Sequence, residues 1–129
     1  MKLDPERGLI QEAQFVSSPN YDERPEDTKI SLMTIHGISL PPGEFGGPWV
    51  EDFFTNSLDE NSHPYFKEIK PLKVSSHLFI RRDGSLFQFV PLQKRAWHAG
   101  ESSYQGREKC NDYSIGVELE GDDDTPYED

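Results

Sequence analysis

Hydrophobic and polar residues are arranged along the chain in patterns that predict several β-strands. Residues 30–39 form an apolar run rich in β-branched side chains, which predicts a buried strand. The segment Pro41-Pro42-Gly43 ends this run, because proline cannot donate a backbone hydrogen bond to a neighbouring strand. Residues 74–90 alternate on both sides of Arg82-Asp83-Gly84, which predicts a β-hairpin that turns at the glycine. Residues 113–120 alternate again and predict a further strand.

Two short segments show helical spacing instead. Between residues 49 and 54 the apolar side chains fall at i, i+1, i+4 and i+5, which places them on one face of a helix. Residues 64–69 begin with proline, a residue that suits the first turn of a helix. Residues 21–29 are charged and contain proline, and residues 93–111 are rich in glycine, serine and charge, so both predict irregular loops. The prediction is a mostly β scaffold of three or four strands with at least one helix packed on it.

Composition narrows the class of protein. A chain of 129 residues is most simply one domain, residues 1–129. Its net charge of −11 disfavours nucleic-acid binding, which needs clustered lysine and arginine. No stretch is long and apolar enough to span a bilayer, and the first residues lack the apolar run of a signal peptide. The single cysteine, Cys110, excludes an internal disulfide. We therefore predict a cytoplasmic protein without nucleic-acid or membrane partners.

His36 is the first candidate for chemistry. It lies near the end of the predicted strand at residues 30–39, just before an irregular loop rich in glycine and proline. Such strand ends are where ligand sites are often built, and an imidazole there is a candidate metal ligand. The alternative is a core histidine that forms a hydrogen bond with a backbone carbonyl, as many histidines without a functional role do.

Glu118 is the second candidate. Strand alternation places it beside the small residue Gly116 and opposite the apolar face of its strand. A buried carboxylate on a central strand is costly unless it is paired, hydrogen-bonded or used for proton transfer. The alternative is a solvent-facing glutamate on an edge strand, which Glu120 on the same face favours.

Trp97 and His98 form the third candidate. An aromatic ring beside an imidazole in a glycine-bounded loop suits a sugar or acyl pocket, where rings stack on apolar faces. The alternative is a tryptophan that fills the rim of the core and leaves its neighbouring histidine exposed.

Several longer runs of the sequence resemble a known family. The segments 35–47, 74–84, 94–100, 104–107 and 111–121, which read IHGISLPPGEFGG, VSSHLFIRRDG, KRAWHAG, YQGR and NDYSIGVELEG, are similar, in the same order, to the signature of AmpD-type anhydro-N-acetylmuramyl-L-alanine amidases. The resemblance covers most of residues 18–121. It implies the α+β fold shared with peptidoglycan recognition proteins, a central mixed β-sheet with flanking helices.

The resemblance also implies a function and a site. Family members are zinc amidases that cut the bond between the lactyl group of muramic acid and L-alanine, and the AmpD type acts in the cytoplasm on small anhydro-muropeptides recovered from cell-wall turnover. His36 corresponds to the first zinc ligand and Glu118 to the catalytic glutamate. Gly37 stands where asparagine is more usual. The positions that line the muropeptide cleft correspond to Tyr65, Lys73, Ala96 and Trp97.

One departure from the family pattern concerns the zinc site. In the family a second histidine, an aspartate and a nearby lysine come from a C-terminal segment that follows the last strand, and this chain is expected to lack that segment. The expectation is therefore a C-terminally incomplete amidase domain. Two alternatives remain open, a non-catalytic muropeptide-binding module and an inactive truncated fragment, and the sequence leaves the oligomeric state open.

Overall fold

The computed structural model describes residues 2–98, 103–104 and 107–121 of the chain. Short strands precede one long strand, two helices follow it, and a second long strand closes the described part. The elements are β1 (Leu3–Asp4), β2 (Leu9–Ile10), β3 (Gln14–Phe15), β4 (Tyr21–Glu23), β5 (Leu32–Ile38), α1 (Trp49–Phe54), α2 (Pro64–Ile69), β6 (Leu78–Ile80), β7 (Leu86–Gln88), β8 (Lys94–Ala96), β9 (Ser103–Tyr104), β10 (Arg107–Glu108), a 3₁₀ turn (Cys110–Asp112) and β11 (Ser114–Glu120).

A five-stranded mixed sheet forms the centre of the fold, in the order β3-β7-β6-β11-β5. Strand β11 runs parallel to both of its neighbours, β6 and β5, while β6 and β7 form an antiparallel hairpin. The hairpin turns at Gly84, whose φ of +89° is one that glycine adopts without strain. The predictions of a hairpin, of a strand at residues 113–120 and of a central mixed sheet with flanking helices are confirmed.

The two helices lie where the sequence predicted them. Helix α1 buries Val50, Phe53 and Phe54, which is the apolar face that the spacing indicated. Helix α2 begins at Pro64, and the side chain of His63 caps it by accepting a hydrogen bond from the backbone N–H of Tyr65 at 3.0 Å. Each helix is only six residues long, and no helix in the described part of the chain is long and apolar enough to cross a membrane.

The helices cover one face of the sheet. Phe79 of β6 belongs to the main core together with residues of α1 and α2, and its register partner on β11 is Glu118. The opposite face carries a smaller core around Leu78 and Val117, which Ile10 from the N-terminal segment covers. Glu118 therefore lies on the face of the sheet that α1 and α2 cover. The buried residues of the main core are Leu40, Val50, Phe53, Phe54, Leu58, Phe66, Ile69, Phe79, Phe89, Val90 and Ala96.

The prediction that residues 30–39 form a buried strand is wrong in one respect. The strand exists as β5, but among the described strands it lies at the edge of the sheet and pairs with β11 alone. Met33 and Ile35 are 58% and 61% exposed. An apolar run predicts burial on both faces of a strand, which requires a neighbouring strand on each side and a covering layer on each face. The described residues provide neither a second neighbouring strand nor a layer over the face that carries Met33 and Ile35.

The prediction of irregular loops at residues 21–29 and 93–111 is also wrong in part. Strands β4 and β8 pair with each other in an antiparallel ribbon beside the main sheet. Arg95 on β8 donates to Asp22 on β4 from Nε at 2.6 Å and from Nη2 at 2.5 Å, and Lys94 pairs with Glu23. Because ion pairs rather than apolar alternation join these strands, the hydrophobic pattern did not indicate them.

Arg24, which directly follows β4, ties this ribbon to the sheet. Its guanidinium nitrogens donate to four backbone carbonyl oxygens at distances between 2.8 and 3.1 Å. Among the described residues, its Nε is the only side-chain nitrogen or oxygen atom that is fully enclosed and has no hydrogen-bond partner. The four carbonyl oxygens belong to Leu92, Asn111, Asp112 and Ser114.

Candidate functional site

His36 and Glu118 are register partners on the parallel strands β5 and β11. Register partners on neighbouring strands direct their side chains to the same face of a sheet, so the imidazole and the carboxyl group lie side by side. His36 is exposed, whereas Glu118 is only 8% exposed. The structure therefore brings together the two residues to which the family resemblance assigns zinc binding and catalysis.

Glu118 is a mostly buried carboxyl group, and the described residues offer it neither a hydrogen-bond donor nor an ion pair. It lies on a central strand, so the alternative of a solvent-facing glutamate on an edge strand is wrong. No group in the described part of the chain donates a hydrogen bond to its oxygens, and burial raises the pKa of Glu118 to about 8. A carboxyl group with a pKa near neutral pH is suited both to accept and to donate a proton.

His98 lies one row further along the same face, at the pair formed by Thr34 and Gly116. Its Nδ1 is 3.1 Å from the hydroxyl oxygen of Thr34, and its Nε2 is 3.0 Å from that of Ser114. Burial lowers the pKa of His98 to about 3, with smaller contributions from the protonated forms of His77 and His36, so the ring of His98 is neutral at pH 7. The alternative of an exposed histidine beside Trp97 is wrong.

His77 holds the loop before β6 against β11. It is fully buried, its Nδ1 accepts a hydrogen bond from the backbone N–H of Gly116 at 3.0 Å, and its Nε2 donates to the carbonyl oxygen of Lys94 at 2.8 Å. Burial, with a smaller contribution from the charge of Arg24, lowers the pKa of His77 to about 4, although its hydrogen bond to Lys94 opposes the shift. His77 is therefore a neutral residue whose hydrogen bonds order the sheet.

Of the three histidines near this part of the sheet, only His36 has ring nitrogens available to bind a metal ion. Both ring nitrogens of His77 and of His98 already have hydrogen-bond partners, whereas His36 is exposed and can offer a nitrogen to a metal. Within residues 2–98, 103–104 and 107–121, no group of three or more His, Cys, Asp or Glu side chains could hold a metal ion. His36 fits as a single ligand, and the described residues do not complete a catalytic zinc site, which needs three protein ligands.

The residues predicted to line a substrate cleft lie in connected segments. Tyr65 on α2 packs against the main core that contains Ala96, and the exposed Lys73 follows the same helix. Trp97 is joined to the segment after Lys73, because its carbonyl oxygen accepts a hydrogen bond from the backbone N–H of Ser75 at 3.0 Å. Ala96 is completely buried in the main core, so it supports the neighbouring residue Trp97 from within the fold.

Asp22 lies beside the side chain of Trp97. Its carboxylate accepts two hydrogen bonds from Arg95, which make the largest contribution to lowering the pKa of Asp22, and the side chain of Trp97 makes a smaller one. The guanidinium group of Arg95 also reaches Asp112, with Nη1 2.6 Å from the carboxylate. The sequence pattern does not indicate this network, although the charged run at residues 21–29 contains one of its carboxylates.

Glu120 is a second residue whose environment was not predicted. It was interpreted as support for a solvent-facing strand, but it is only 5% exposed. One carboxylate oxygen accepts from the backbone N–H of Gly46 at 2.7 Å and from Arg81 at 3.1 Å, and the other accepts from the backbone N–H of Arg82 at 3.1 Å. The adjacent arginines after β6 are the signal that could have indicated a buried partner. Glu120 also lines a pocket of about 570 Å³ at this end of the sheet, with Phe45 and Arg82 among its other walls.

Comparisons with known proteins agree with this geometry. The family profile described as N-acetylmuramoyl-L-alanine amidase matches residues 26–129. The chain is 60% identical over 129 residues to the 1,6-anhydro-N-acetylmuramyl-L-alanine amidase AmpD of Citrobacter freundii, and the aligned region covers 100% of this chain and 68% of that protein. It is 57% identical over 124 residues to AmpD of Escherichia coli strain K12, which covers 96% of this chain and 68% of that protein.

Solved structures give the same result. A crystal structure of a selenomethionine AmpD derivative superimposes with a TM-score of 0.96 at 60% identity, covering 100% of this chain and 71% of that one. The solution structure of Citrobacter freundii AmpD gives a TM-score of 0.63 at 60% identity, covering 98% of this chain and 67% of that one. The chain thus spans about two thirds of the length of these relatives. It belongs to the N-acetylmuramoyl-L-alanine amidase family of amide-bond hydrolases.

Proposed function

We propose that this chain, as a single domain, hydrolyses the amide bond between the lactyl group of anhydro-N-acetylmuramic acid and the L-alanine of a muropeptide, in the cytoplasmic recycling of peptidoglycan. One observation carries the proposal: in a member of this family, the buried carboxyl group of Glu118 lies beside His36 on paired strands. The names of its AmpD relatives support anhydro-muropeptides as the class of substrate.

Glu118 is the catalytic residue of this proposal. Hydrolysis of an amide adds one water molecule, and one proton of that water must reach the leaving nitrogen. Glu118 takes the proton from the attacking water and then donates it to the amine, so the carboxyl group returns to its starting state. Its raised pKa suits both steps near neutral pH.

Zinc is the proposed cofactor, with His36 as one of its ligands. When bound, zinc would polarise the amide carbonyl and lower the pKa of water. The described residues do not form a complete zinc site, so the proton transfers above are assigned to this chain's own carboxyl group alone.

The substrate contacts are proposed for Tyr65, Lys73, Ala96 and Trp97. The indole of Trp97 offers an apolar surface to a sugar ring or to the peptide, and the exposed ammonium of Lys73 can meet a substrate carboxylate. Tyr65 is partly buried against the main core, and Ala96, which is completely buried, precedes Trp97 on the same segment.

Mass spectrometry of an anhydro-muropeptide incubated with the chain tests the proposal, with and without added zinc. Cleavage should give the free peptide with an N-terminal alanine. Glu118→Gln should lower the rate at least about 100-fold, because it removes a general acid–base. Glu44→Gln, which changes an exposed glutamate, is the matched control and should leave the rate unchanged. Cleavage at the parent rate by Glu118→Gln would contradict the role of Glu118.

A second candidate function is a muropeptide-binding module without catalysis. The observation that favours it is that the described residues do not bring three metal ligands together. Calorimetric binding of the muropeptide, together with a lack of cleavage even when zinc is supplied, would support this function over the first.

A further inference from the structure

The surface on which His98 lies is built from three residues of two strands. Thr34 on β5 and Ser114 on β11 place one hydroxyl group beside each ring nitrogen. Gly116 on β11 leaves room for the ring, because a Cβ atom at this position would lie 2.5 Å from Cγ and Cδ2 of His98. The backbone of Gly116 does not have a positive φ, so space for the ring is what requires glycine here.

This ring lies next to the candidate catalytic pair. Gly116 and Thr34 are register partners, and the next pair on the same face is Glu118 and His36. The ring centroids of His98 and His36 are 6.1 Å apart, with the planes inclined at 50°. His98 thus connects the β8 segment to the row of the sheet directly beside the proposed reaction centre.

Trp97 precedes His98 and is held on two further sides. Its backbone N–H donates to the hydroxyl oxygen of Ser75 at 3.2 Å, and its carbonyl oxygen accepts from the backbone N–H of Ser75 at 3.0 Å. Its side chain lies close enough to Asp22 to contribute to the lowered pKa of that carboxyl group. The Ser75 contacts fix the backbone of Trp97 to the segment before β6. His98, the residue next to Trp97, contacts the strands that carry His36 and Glu118 directly, in addition to the link that His77 makes between Lys94 and Gly116.

We propose that His98 is a positioning residue for substrate recognition: its ring, held by Thr34, Ser114 and Gly116, sets the position of Trp97 relative to the His36–Glu118 pair. The inference rests on the proposed function, since Trp97 is a proposed substrate contact. His98 does not touch the substrate, because both of its ring nitrogens are engaged by the sheet.

Fluorescence of Trp97 tests the position directly, without substrate. The chain has two tryptophans, so Trp49→Phe leaves Trp97 as the sole tryptophan and serves as the parent. Adding His98→Ala should change the emission maximum of Trp97 and its quenching by acrylamide. Gly116→Ala should act in the same direction in the parent, because its methyl group displaces the ring. Gly116→Ala should add nothing in the His98→Ala background, where there is no ring to displace.

Binding of an anhydro-muropeptide, measured by calorimetry in the same variants, tests the consequence. Misplacing one aromatic contact should weaken binding by about tenfold in His98→Ala. Thr34→Val should have a smaller effect in the same direction, since it removes one of the two hydroxyl partners and keeps the shape of the side chain. Ser18→Ala is the matched control, because it removes a fully buried hydroxyl group whose hydrogen bonds do not involve His98.

The outcomes separate the two proposals. A lower melting temperature in His98→Ala, with unchanged Trp97 fluorescence and unchanged muropeptide affinity, would make His98 a purely structural residue and overturn the inference. A parent that fails to bind the muropeptide would instead contradict the proposed function. The fluorescence comparison would still show whether His98 sets the position of Trp97.

Discussion

Glu118 and Glu120 lie two residues apart on the same face of β11 and are both buried, yet their carboxyl groups have opposite environments. Glu120 accepts three hydrogen bonds, whereas no group in the described part of the chain donates one to Glu118. Strand β11 thus carries one carboxyl group whose hydrogen bonds are made within the protein, that of Glu120, and one that remains available to a substrate or to water, that of Glu118. This contrast is the reason to assign chemistry to Glu118 and a structural role to Glu120.

The raised pKa of Glu118 makes stability depend on pH. Its pKa is about 8 in the folded chain and 4.5 as the ordinary value, so between these values the folded state binds more protons than the unfolded state. Stability from this group is therefore complete below pH 4.5 and is lost as the pH rises through 8. The free energy of unfolding of Glu118→Gln, relative to that of the parent, should therefore rise by on the order of 4–5 kcal/mol between pH 4 and pH 9. Urea unfolding across this range checks the prediction, and a difference that does not change with pH would contradict it.

Glu120→Gln should have the opposite effect. The amide would keep the shape of the side chain but would weaken the contacts to Arg81, Arg82 and Gly46. We expect a loss of about 2 kcal/mol in the free energy of unfolding at pH 7, because a buried ion pair loses one charge. Urea unfolding of the two glutamine variants side by side is the measurement, and equal effects would show that the hydrogen bonds of Glu120 contribute nothing specific.

His77 should contribute to acid sensitivity. Its pKa is lowered from 6.5 to about 4, so the unfolded state binds more protons between these values and the folded state loses stability as the pH falls through them. His77→Phe keeps a ring but leaves the N–H of Gly116 and the carbonyl of Lys94 without partners, which should cost about 2–4 kcal/mol at pH 7. Its melting temperature should also fall less steeply with acid than that of the parent. An unchanged slope between pH 6.5 and pH 4 would count against a buried neutral imidazole.

Ile35 and Val117 offer a matched pair on the other face of the sheet. They are register partners on β5 and β11, but Ile35 is 61% exposed and Val117 only 5%. Replacing each by threonine keeps a β-branched side chain, so burial is the main difference. Ile35→Thr should change stability by less than about 0.5 kcal/mol, whereas Val117→Thr should cost about 1–2 kcal/mol. Thermal unfolding of the two variants decides it, and similar losses would mean that Ile35 is covered in solution.

The sequence predicted those elements whose own residues determine them. Helix α1 was predictable because its apolar spacing is the face it buries, and β11 because it alternates along its whole length. The burial of β5 was not, since an apolar run does not tell whether a second strand will lie beside it. Strands β4 and β8 were missed because charged pairs such as Asp22 and Arg95, far apart in sequence, hold them together.

The residues of the candidate site were also only partly predictable from the sequence. The resemblance to a family indicated His36 and Glu118, but only parallel pairing of strands that lie about 80 positions apart puts them in one row. The position of His98 depends on Thr34, Ser114 and Gly116, which no local pattern joins to it. Contacts of this kind follow from topology, and topology could not be read from the alternation of single strands.

The contacts of Arg24 also bear on how long the folded chain persists. Its guanidinium group reaches residues that follow it by 68 to 90 positions. We expect contacts of such long range to form late in folding, after the β6–β7 hairpin. Interactions absent from the transition state change the unfolding rate and leave the folding rate nearly untouched. We therefore expect Arg24→Leu to unfold faster and to refold at nearly the parent rate in stopped-flow experiments, and slower refolding would show that the contacts form early. On this basis Arg24 acts on the lifetime of the native state, because local opening there would break the bonds that join the end of β4 to the residues before β8 and at the start of β11.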